Sequence, residues 1–210
     1  MTHAALWIGG EPPVPEALIN LPAFDVVLAA DSGFDAASAT GVGVDVLVGD
    51  MDSVTPQHLN TFGGEVLRFP PDKDYTDLEL ALDVATERGA TDIMVIGGGG
   101  GRLDHELSSL LVLTLEKYAG ARITARIGRA EVLVVRDRVE LRGTPDEVVS
   151  LVPARDVVDG VTTSGLRWPL ELATLRLGAT WSVSNEFTGT AALIEVNRGV
   201  LLVVRPAAFG

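Results

Sequence analysis

The change of texture at Gly120 constrains this chain more than any other feature. Up to that point, short apolar runs ending in glycine or a polar turn alternate with stretches patterned as helices. ALWIGG, DVVLAADSG, DVLVGDMDS, EVLRFP and DIMVIGGGGG read as buried strands. A helix start stands at Thr55-Pro56, with threonine at the N-cap and proline at the first helical position. TDLELALDVATERG carries a capping box, Thr76 with Glu79 three residues on, and Tyr75 and Leu80 have the spacing of a hydrophobic staple. LDHELSSLLVLTLEKYAG is a strongly apolar helix that Gly120 is placed to close. Apolar strands interleaved with helices predict an α/β domain with a mainly parallel sheet covered on both faces.

Beyond Gly120 the segments ARITARIG, AEVLVVR, VELRG, EVVSLVPA, ATLRL, TWSVSNEF, TAALIEVNRG and VLLVVRP are short, often alternating, and separated by turn residues. No helical pattern of any length interrupts them. They predict an all-β antiparallel sandwich or barrel. Residues 1–121 are thus expected to form the α/β domain and 122–210 the sandwich. With 210 residues, 47% of them hydrophobic, the chain can bury a sizeable core.

A net charge of −13 repels phosphate backbones and anionic lipid surfaces, so nucleic acid and membrane are poor partners. An anionic substrate would need divalent cations and local donors to overcome that field. The chain has no cysteine, which removes disulfides, thiolate catalysis and zinc–cysteine sites together. MTHAALWIGGEPP lacks the basic-then-apolar plan of a secretory signal, and no apolar run approaches a membrane span. A soluble intracellular protein is expected.

In open α/β sheets, ligands sit beyond the carboxyl ends of the strands. Four predicted strand ends deliver acids or glycines to that rim. Asp31 follows VVLAA, Asp50 and Asp52 follow DVLVG, Asp74 and Asp77 follow EVLRFPP, and Gly97 to Gly101 with Arg102 and Asp104 follow DIMVI. If extended geometry persists past Gly49, Asp50 and Asp52 face the same way and repel unless a cation lies between them. Magnesium suits such a site, because it takes one or two carboxylates plus substrate phosphates and keeps its waters. The plainer reading makes the pair turn and cap residues ahead of the Thr55 helix. Asp31 equally reads as a turn residue, Asp77 as a first-turn acid on the helix dipole, and Asp104 as the N-cap of its own helix. His105 has no partner at a recognisable spacing. Each acid is weak evidence alone; their arrival at one edge is what points to a site.

GGGGGRLDH stands between a predicted strand and a predicted helix. Glycines there let backbone N–H groups approach an anion, and Arg102 adds a planar fork matched to phosphate oxygens. The run is neither a Walker loop, since no GK[ST] follows, nor a dinucleotide fingerprint. A generic glycine-rich turn remains its alternative.

The blocks AADSGFDAA, VGDMDSV, DKDYTDLELAL and GGGGGRLDHELSSLL, followed by GVTTSGLRWPL and SVSNEFTGTAALIEVNRGVLLVV, resemble in order the motifs of the thiamine pyrophosphokinase (thiamin diphosphokinase) family, the third block being of the bacterial type. The resemblance covers most of the chain outside residues 10–25 and 121–148. It implies an N-terminal α/β domain followed by a β-sandwich, and transfer of the pyrophosphoryl group of ATP to the hydroxyl of thiamine with Mg²⁺ required. It further implies a metal and phosphate site formed by Asp31, Asp50, Asp52 and Asp77, the last three as metal ligands. Asp50, Asp52, Asp77, Arg102 and Asp104 are implied as catalytic, and Asp31, Lys73, Asp74, Thr76, Gly100, Gly101 and Arg102 as the ATP site. A cytoplasmic homodimer with sites between subunits completes that picture.

Thiamine is a flat cation, and a tryptophan face attracts a positive charge with roughly 0.5–2 kcal/mol. The resemblance assigns that role to Trp168 in GLRWPL, with Ser184 and Asn185 as hydrogen-bonding partners. Without it, a tryptophan between leucines reads as core and Ser-Asn as an ordinary turn; Trp7 and Trp181 are expected to be core. The acid cluster alone would serve a Mg²⁺-dependent phosphohydrolase equally well, and a related sandwich could present a pterin or another flat alcohol to a pyrophosphokinase; a nucleotide or thiamine sensor without turnover is a further alternative, against which so many carboxylates weigh.

Overall fold

Apolar strands need cover on both faces, and the first half of the chain supplies it. In the computed structural model, which describes residues 1–11 and 13–210, six strands of the first unit run parallel. They are β1 (Thr2–Ile8), β2 (Val26–Ala30), β3 (Val46–Gly49), β4 (Glu65–Arg68), β5 (Ala90–Gly97) and β6 (Arg122–Ile127), in the order β6-β5-β1-β2-β3-β4. β1 is central, pairing Ala4 with Val26 of β2 on one side and with Ile93 of β5 on the other.

Helix α1 (Gly33–Ala39) sets Phe34 and Ala37 into a core with Ala5, Trp7, Ala29, Leu47 and Ile96. Helix α2 (Pro56–Thr61) is short and buries none of its residues, while α3 (Asp77–Glu87) buries Leu78, Leu80, Ala81, Leu82, Val84 and Ala85 against β1, β2, β3 and β5. Thr76 is the N-cap of α3, and its hydroxyl accepts the Glu79 N–H at 3.3 Å, as the capping box predicts. Tyr75 is 54% exposed, so the expected staple gives way to a Lys117 ammonium 5.6 Å above its ring.

Two features depart from expectation. Helix α1 is absent from the sequence reading, because DSGFDAASA is short and opens on turn-forming residues. Helix α4 (Leu103–Val112) ends well before Gly120, and a separate 3₁₀ turn at Glu116–Tyr118 follows. Of α4 only Val112 is buried; Leu103, Leu107 and Leu111 are 68%, 53% and 53% exposed. The apolar composition of this helix is therefore not core.

The first unit runs to Gly128 and the second from Arg129 to Gly210, so the division lies beyond the expected residue 121. The reason is β6, which pairs parallel with β5 from Asp92↔Arg122 to Ile96↔Arg126. RITARI alternates polar and apolar residues, and that period is the same in parallel and antiparallel settings.

The second unit holds two antiparallel sheets. One contains β7 (Ala130–Val135), β9 (Val148–Pro153), β12 (Asn185–Glu186) and β14 (Leu201–Arg205); the other contains β8 (Arg138–Arg142), β10 (Val157–Ser164), β11 (Ala173–Arg176) and β13 (Ala191–Glu195). Val149, Leu151, Leu201 and Val203 from the first meet Val158, Val161, Leu175 and Ile194 from the second in one core, with Phe187 among them. Trp7 is buried as expected, but Trp181 is 59% exposed and stands outside the core.

Candidate active site

The chain builds β1, β2, β3 and β4 outward on one side, then crosses to lay β5 on the other side of β1. That reversal of strand order opens a crevice at the carboxyl ends of β1 and its neighbours. A cleft of about 780 Å³ lies there, within the usual range for small-molecule sites. Asp31, Lys73, Thr76, Asp77, Gly100 and Arg102 are among the residues that line it.

Asp31, Asp50 and Asp52 each present an oxygen within 4.8 Å of the others. They converge through backbone turns, because the extended geometry does not persist past β3. Gly49 has φ +144 and Met51 φ +69, and the Asp50 carboxylate accepts the Asp52 N–H at 3.2 Å. Asp31 also has a positive φ of 45°, a conformation that aspartate tolerates better than most side chains. Gly49 makes the approach of the neighbouring acids possible: a Cβ there would lie 2.8 Å from Asp77 Oδ1 and 3.3 Å from Asp31 Cβ.

Asp77, at the first position of α3, completes the acid group. Lys73 Nζ lies 2.9 Å from Asp50 Oδ2 and 3.0 Å from Asp77 Oδ1, with only 12% of its side chain exposed. Burial works against the Lys73 ammonium, but hydrogen bonding to Asp50 and Asp77 outweighs it and raises its pKa. The Lys73 contact, aided by the Asp52 N–H, lowers that of Asp50. Asp31 moves the other way: burial raises its pKa, and the charges of Asp77 and Asp50 add to the rise against an opposing hydrogen bond from Ser53. Its Oδ1 is buried without a hydrogen-bond partner among the described residues.

That orphaned oxygen tests the fit of a metal. An all-carboxylate donor set, with one buried oxygen aimed at nothing, suits a hard divalent cation such as Mg²⁺. Asp31, Asp50 and Asp52 are the residues whose oxygens could hold it, with Asp77 beside them.

The glycine run lines the same cleft. A Cβ at Gly97, with φ +109, would stand 2.4 Å from the Ile8 carbonyl oxygen, so only glycine lets β5 turn so close to β1. Gly98, Gly100 and Gly101 also have positive φ and line the cleft. Arg102 is the N-cap residue of α4, which displaces Asp104 from its expected cap position. Asp104 instead pairs with Arg102, Oδ2 to Nη2 at 2.6 Å, and that hydrogen bond lowers its pKa to about 2. Both side chains face solvent at the cleft edge, as does Asp74, which is exposed and does not line it.

Trp168, Ser184 and Asn185 belong to the second unit. Trp168 is 54% exposed, with the Arg167 guanidinium carbon 5.7 Å from its ring centroid. Ser184 is exposed with φ +59, and its N–H donates to Ser150 Oγ at 3.0 Å. Asn185 is buried and spends its amide on main chain: Oδ1 accepts from the N–H of Trp168 and of Glu186, while Nδ2 donates to the Trp168 carbonyl.

Sequence reasoning missed Asp35, Gly9 and Ser53. Asp35 Oδ2 accepts from the N–H and hydroxyl of Thr55 at 3.0 and 2.7 Å, and its Oδ1 lies 2.6 Å from His58 Nδ1. This clasp from α1 anchors the far end of the Asp50–Asp52 loop. Gly9 lines the cleft directly after β1. WIGG offers the same strand-then-glycine signal as the other rim segments, whereas nothing in DSGFDAA announces a contact twenty residues away.

Two family models match this chain. Thiamin pyrophosphokinase, catalytic domain, covers residues 20–125, and thiamin pyrophosphokinase, vitamin B1 binding domain, covers 137–201. Thiamine pyrophosphokinase of Bacillus subtilis (strain 168) is 26% identical over 169 residues, which is 75% of this chain and 76% of that protein. Thiamine pyrophosphokinase 1 of Oryza sativa subsp. japonica is 29% identical over 156 residues, 67% of this chain and 58% of the longer plant protein. The crystal structure of thiamin pyrophosphokinase from Geobacillus thermodenitrificans superposes with a TM-score of 0.80 at 26% identity, covering 97% of both chains. The Bacillus subtilis structure superposes at 0.85 with 23% identity, over 97% of this chain and 98% of that one.

Proposed function

The chain belongs to the thiamin pyrophosphokinase family, and we propose that it transfers the pyrophosphoryl group of ATP to the hydroxyl of thiamine, giving thiamine diphosphate and AMP. The single observation that carries this reading is the convergence of Asp31, Asp50 and Asp52 within 4.8 Å at a glycine-walled cleft. In the transfer, the hydroxyl oxygen bonds to the β-phosphorus as the bond to the α–β bridging oxygen breaks. AMP leaves with that electron pair and the hydroxyl proton is released to water.

Such transfer asks the protein for positioning and charge neutralisation more than for covalent chemistry. Asp31, Asp50 and Asp52, with Asp77 beside them, would hold Mg²⁺, which when bound would neutralise polyphosphate charge and draw the anion toward an otherwise repelling surface. Arg102 and the amides of Gly100 and Gly101 receive phosphate oxygens, with Lys73 and Thr76 completing the nucleotide side and Asp74 beside them in the chain but outside the cleft lining. Asp104 aims the Arg102 fork through its paired oxygens. The exposed ring of Trp168 takes the thiamine cation, Ser184 offers it a hydroxyl, and Asn185 fixes the Trp168 segment.

The same reading makes the protein a cytoplasmic homodimer, each site formed between the first unit of one subunit and the second unit of its partner. Exposed Leu103, Leu107 and Leu111, one stripe along α4, and the exposed Trp168 support it. No described helix is long and apolar enough to cross a membrane.

The deciding experiment is mass spectrometry of products after incubation with ATP, Mg²⁺ and thiamine. Equal amounts of AMP and thiamine diphosphate are expected. Free phosphate without an acceptor product, or transfer only to a different alcohol, would replace this function with a hydrolase or another pyrophosphokinase.

A further inference from the structure

The ammonium of Lys73 lies among carboxylates that the proposed function assigns to metal. It is 2.9 Å from Asp50 Oδ2 and 3.0 Å from Asp77 Oδ1, and it is 12% exposed, as is Asp50. The other oxygen of Asp50 accepts the Asp52 N–H. A divalent cation held by Asp50 and its neighbours Asp31 and Asp52 would therefore come within a few ångströms of a fixed positive charge. At that range two like charges in a partly buried site repel, with less water between them to screen the repulsion. The two cations compete for the same acids.

Lys73 also lines the cleft, on a four-carbon stem with three rotatable donors. An ammonium released from Asp50 and Asp77 stays within the cleft, where an incoming polyphosphate offers it new oxygens. From this geometry, and resting on the metal assignment above, we propose that Lys73 is a resident counter-ion of the acid cluster, displaced by the divalent cation and received by the nucleotide's phosphates. The cluster is thereby neutralised in part before metal arrives, so that metal alone binds weakly and metal together with nucleotide binds well. Lys73 is in this sense a positioning residue that couples the two ligands.

The test is direct metal binding, with Mn²⁺ as the probe. Free Mn²⁺ is followed by electron paramagnetic resonance in the intact protein, with and without a non-hydrolysable ATP analogue. Lys73→Met and Lys73→Gln are compared with Lys73→Arg and wild type; the glutamine variant retains hydrogen-bonding capacity should the methionine variant fold poorly. Both neutral variants are expected to bind Mn²⁺ alone about tenfold more tightly than wild type. Their further gain on adding the analogue should be smaller than in wild type. Lys73→Arg keeps the charge and should keep the weak binding. Loss of an ordinary structural ion pair would loosen the cluster and weaken Mn²⁺ binding instead. Neutral variants that bind Mn²⁺ no more tightly than wild type, while wild type with analogue binds it well, overturn the counter-ion role and leave the metal site standing. A wild type that takes up no Mn²⁺ even with analogue overturns both.

Discussion

The side chain of Asn185 grips the main chain of Trp168 from both directions, Nδ2 donating to its carbonyl at 2.7 Å and Oδ1 accepting its N–H at 3.1 Å. Because Oδ1 also accepts the Glu186 N–H, its acceptor capacity is spent, and the buried amide cannot rotate toward a ligand without breaking this clasp. Its contribution is the pose of Trp168. Asn185→Ala strands main-chain groups at a cost of about 1–3 kcal/mol and frees the tryptophan segment. The expected result is a lower melting temperature together with a raised thiamine KM and an unchanged ATP KM. Equal rises in both KM values would remove Asn185 from the thiamine side.

Trp168→Ala tests the ring itself. Loss of a cation–π contact of roughly 0.5–2 kcal/mol predicts a thiamine KM about 2- to 30-fold higher, with ATP untouched. The Arg167 guanidinium over the ring must yield to thiamine, so Arg167→Gln should lower the thiamine KM. Isothermal titration of thiamine into the three proteins gives the order directly, and a wild-type affinity in Trp168→Ala ends the stacking assignment.

Asp31 predicts a trade of stability for function. Its pKa is raised by burial and by Asp77 and Asp50, so the fold favours the protonated acid. A carboxyl raised in this way lends stability below its unfolded pKa near 3.8, and that stability is lost as pH rises through the folded value. At pH 7 without metal the charge therefore costs stability. Asp31→Asn removes it, and asparagine tolerates the positive φ of 45° at this position. In EDTA the variant should melt higher than wild type at pH 7, the difference vanishing below pH 3.8. Added Mg²⁺ should raise the wild-type melting temperature more than the variant's. A variant no more stable than wild type in EDTA at pH 7 would count against this account.

The carboxylates in front of Asp31 carry the opposite expectation. Asp52 is exposed and Asp77 lies at the cleft, so neither replacement opens the core. Asp52→Asn and Asp77→Asn should each lower kcat about 10³-fold, the several kcal/mol that metal-held charge contributes, while melting temperatures shift little. Rates near wild type in both purified variants would remove the metal assignment.

How much of this was legible in the sequence depended on whether a signal was local. Strands β1 to β5, the Thr76 cap and the glycine wall are written in neighbouring residues, and so was the delivery of acids to one rim. That Asp50 and Asp52 face the same way rests in the sequence on extended chain, which Gly49 and Met51 do not obey; positive φ at Met51 leaves no mark in the residue type. Contacts between distant points were invisible: Lys73 with Asp50, Asp35 with Thr55, and Asn185 with Trp168 each join segments 17 to 23 residues apart. The parallel pairing of β6 shares its alternation with the antiparallel strands that follow. Trp181 and the α4 leucines show the remaining gap, because exposed apolar residues read as core in the sequence.

Those leucines supply the last prediction. Leu103, Leu107 and Leu111 recur every four residues, so they lie along one face of α4, and all three are more than half exposed. Water contact at three leucines in a row is unfavourable by about 25 cal/mol per Å² of apolar surface, and a partner subunit would relieve it. Leu107 is central, and a glutamate there would carry an unpaired charge into any dry interface at a cost of several kcal/mol. Leu107→Glu should therefore raise the dimer dissociation constant about 100-fold or more, with no loss of helix or melting cooperativity. Light scattering after size exclusion reads the outcome as a fall from twice the 22.1 kDa chain mass to the chain mass itself. If the sites are shared between subunits, turnover should fall with dimer concentration on dilution, more steeply in the variant than in wild type. A variant that stays dimeric, or a wild type that is monomeric and fully active, would take the interface away from α4.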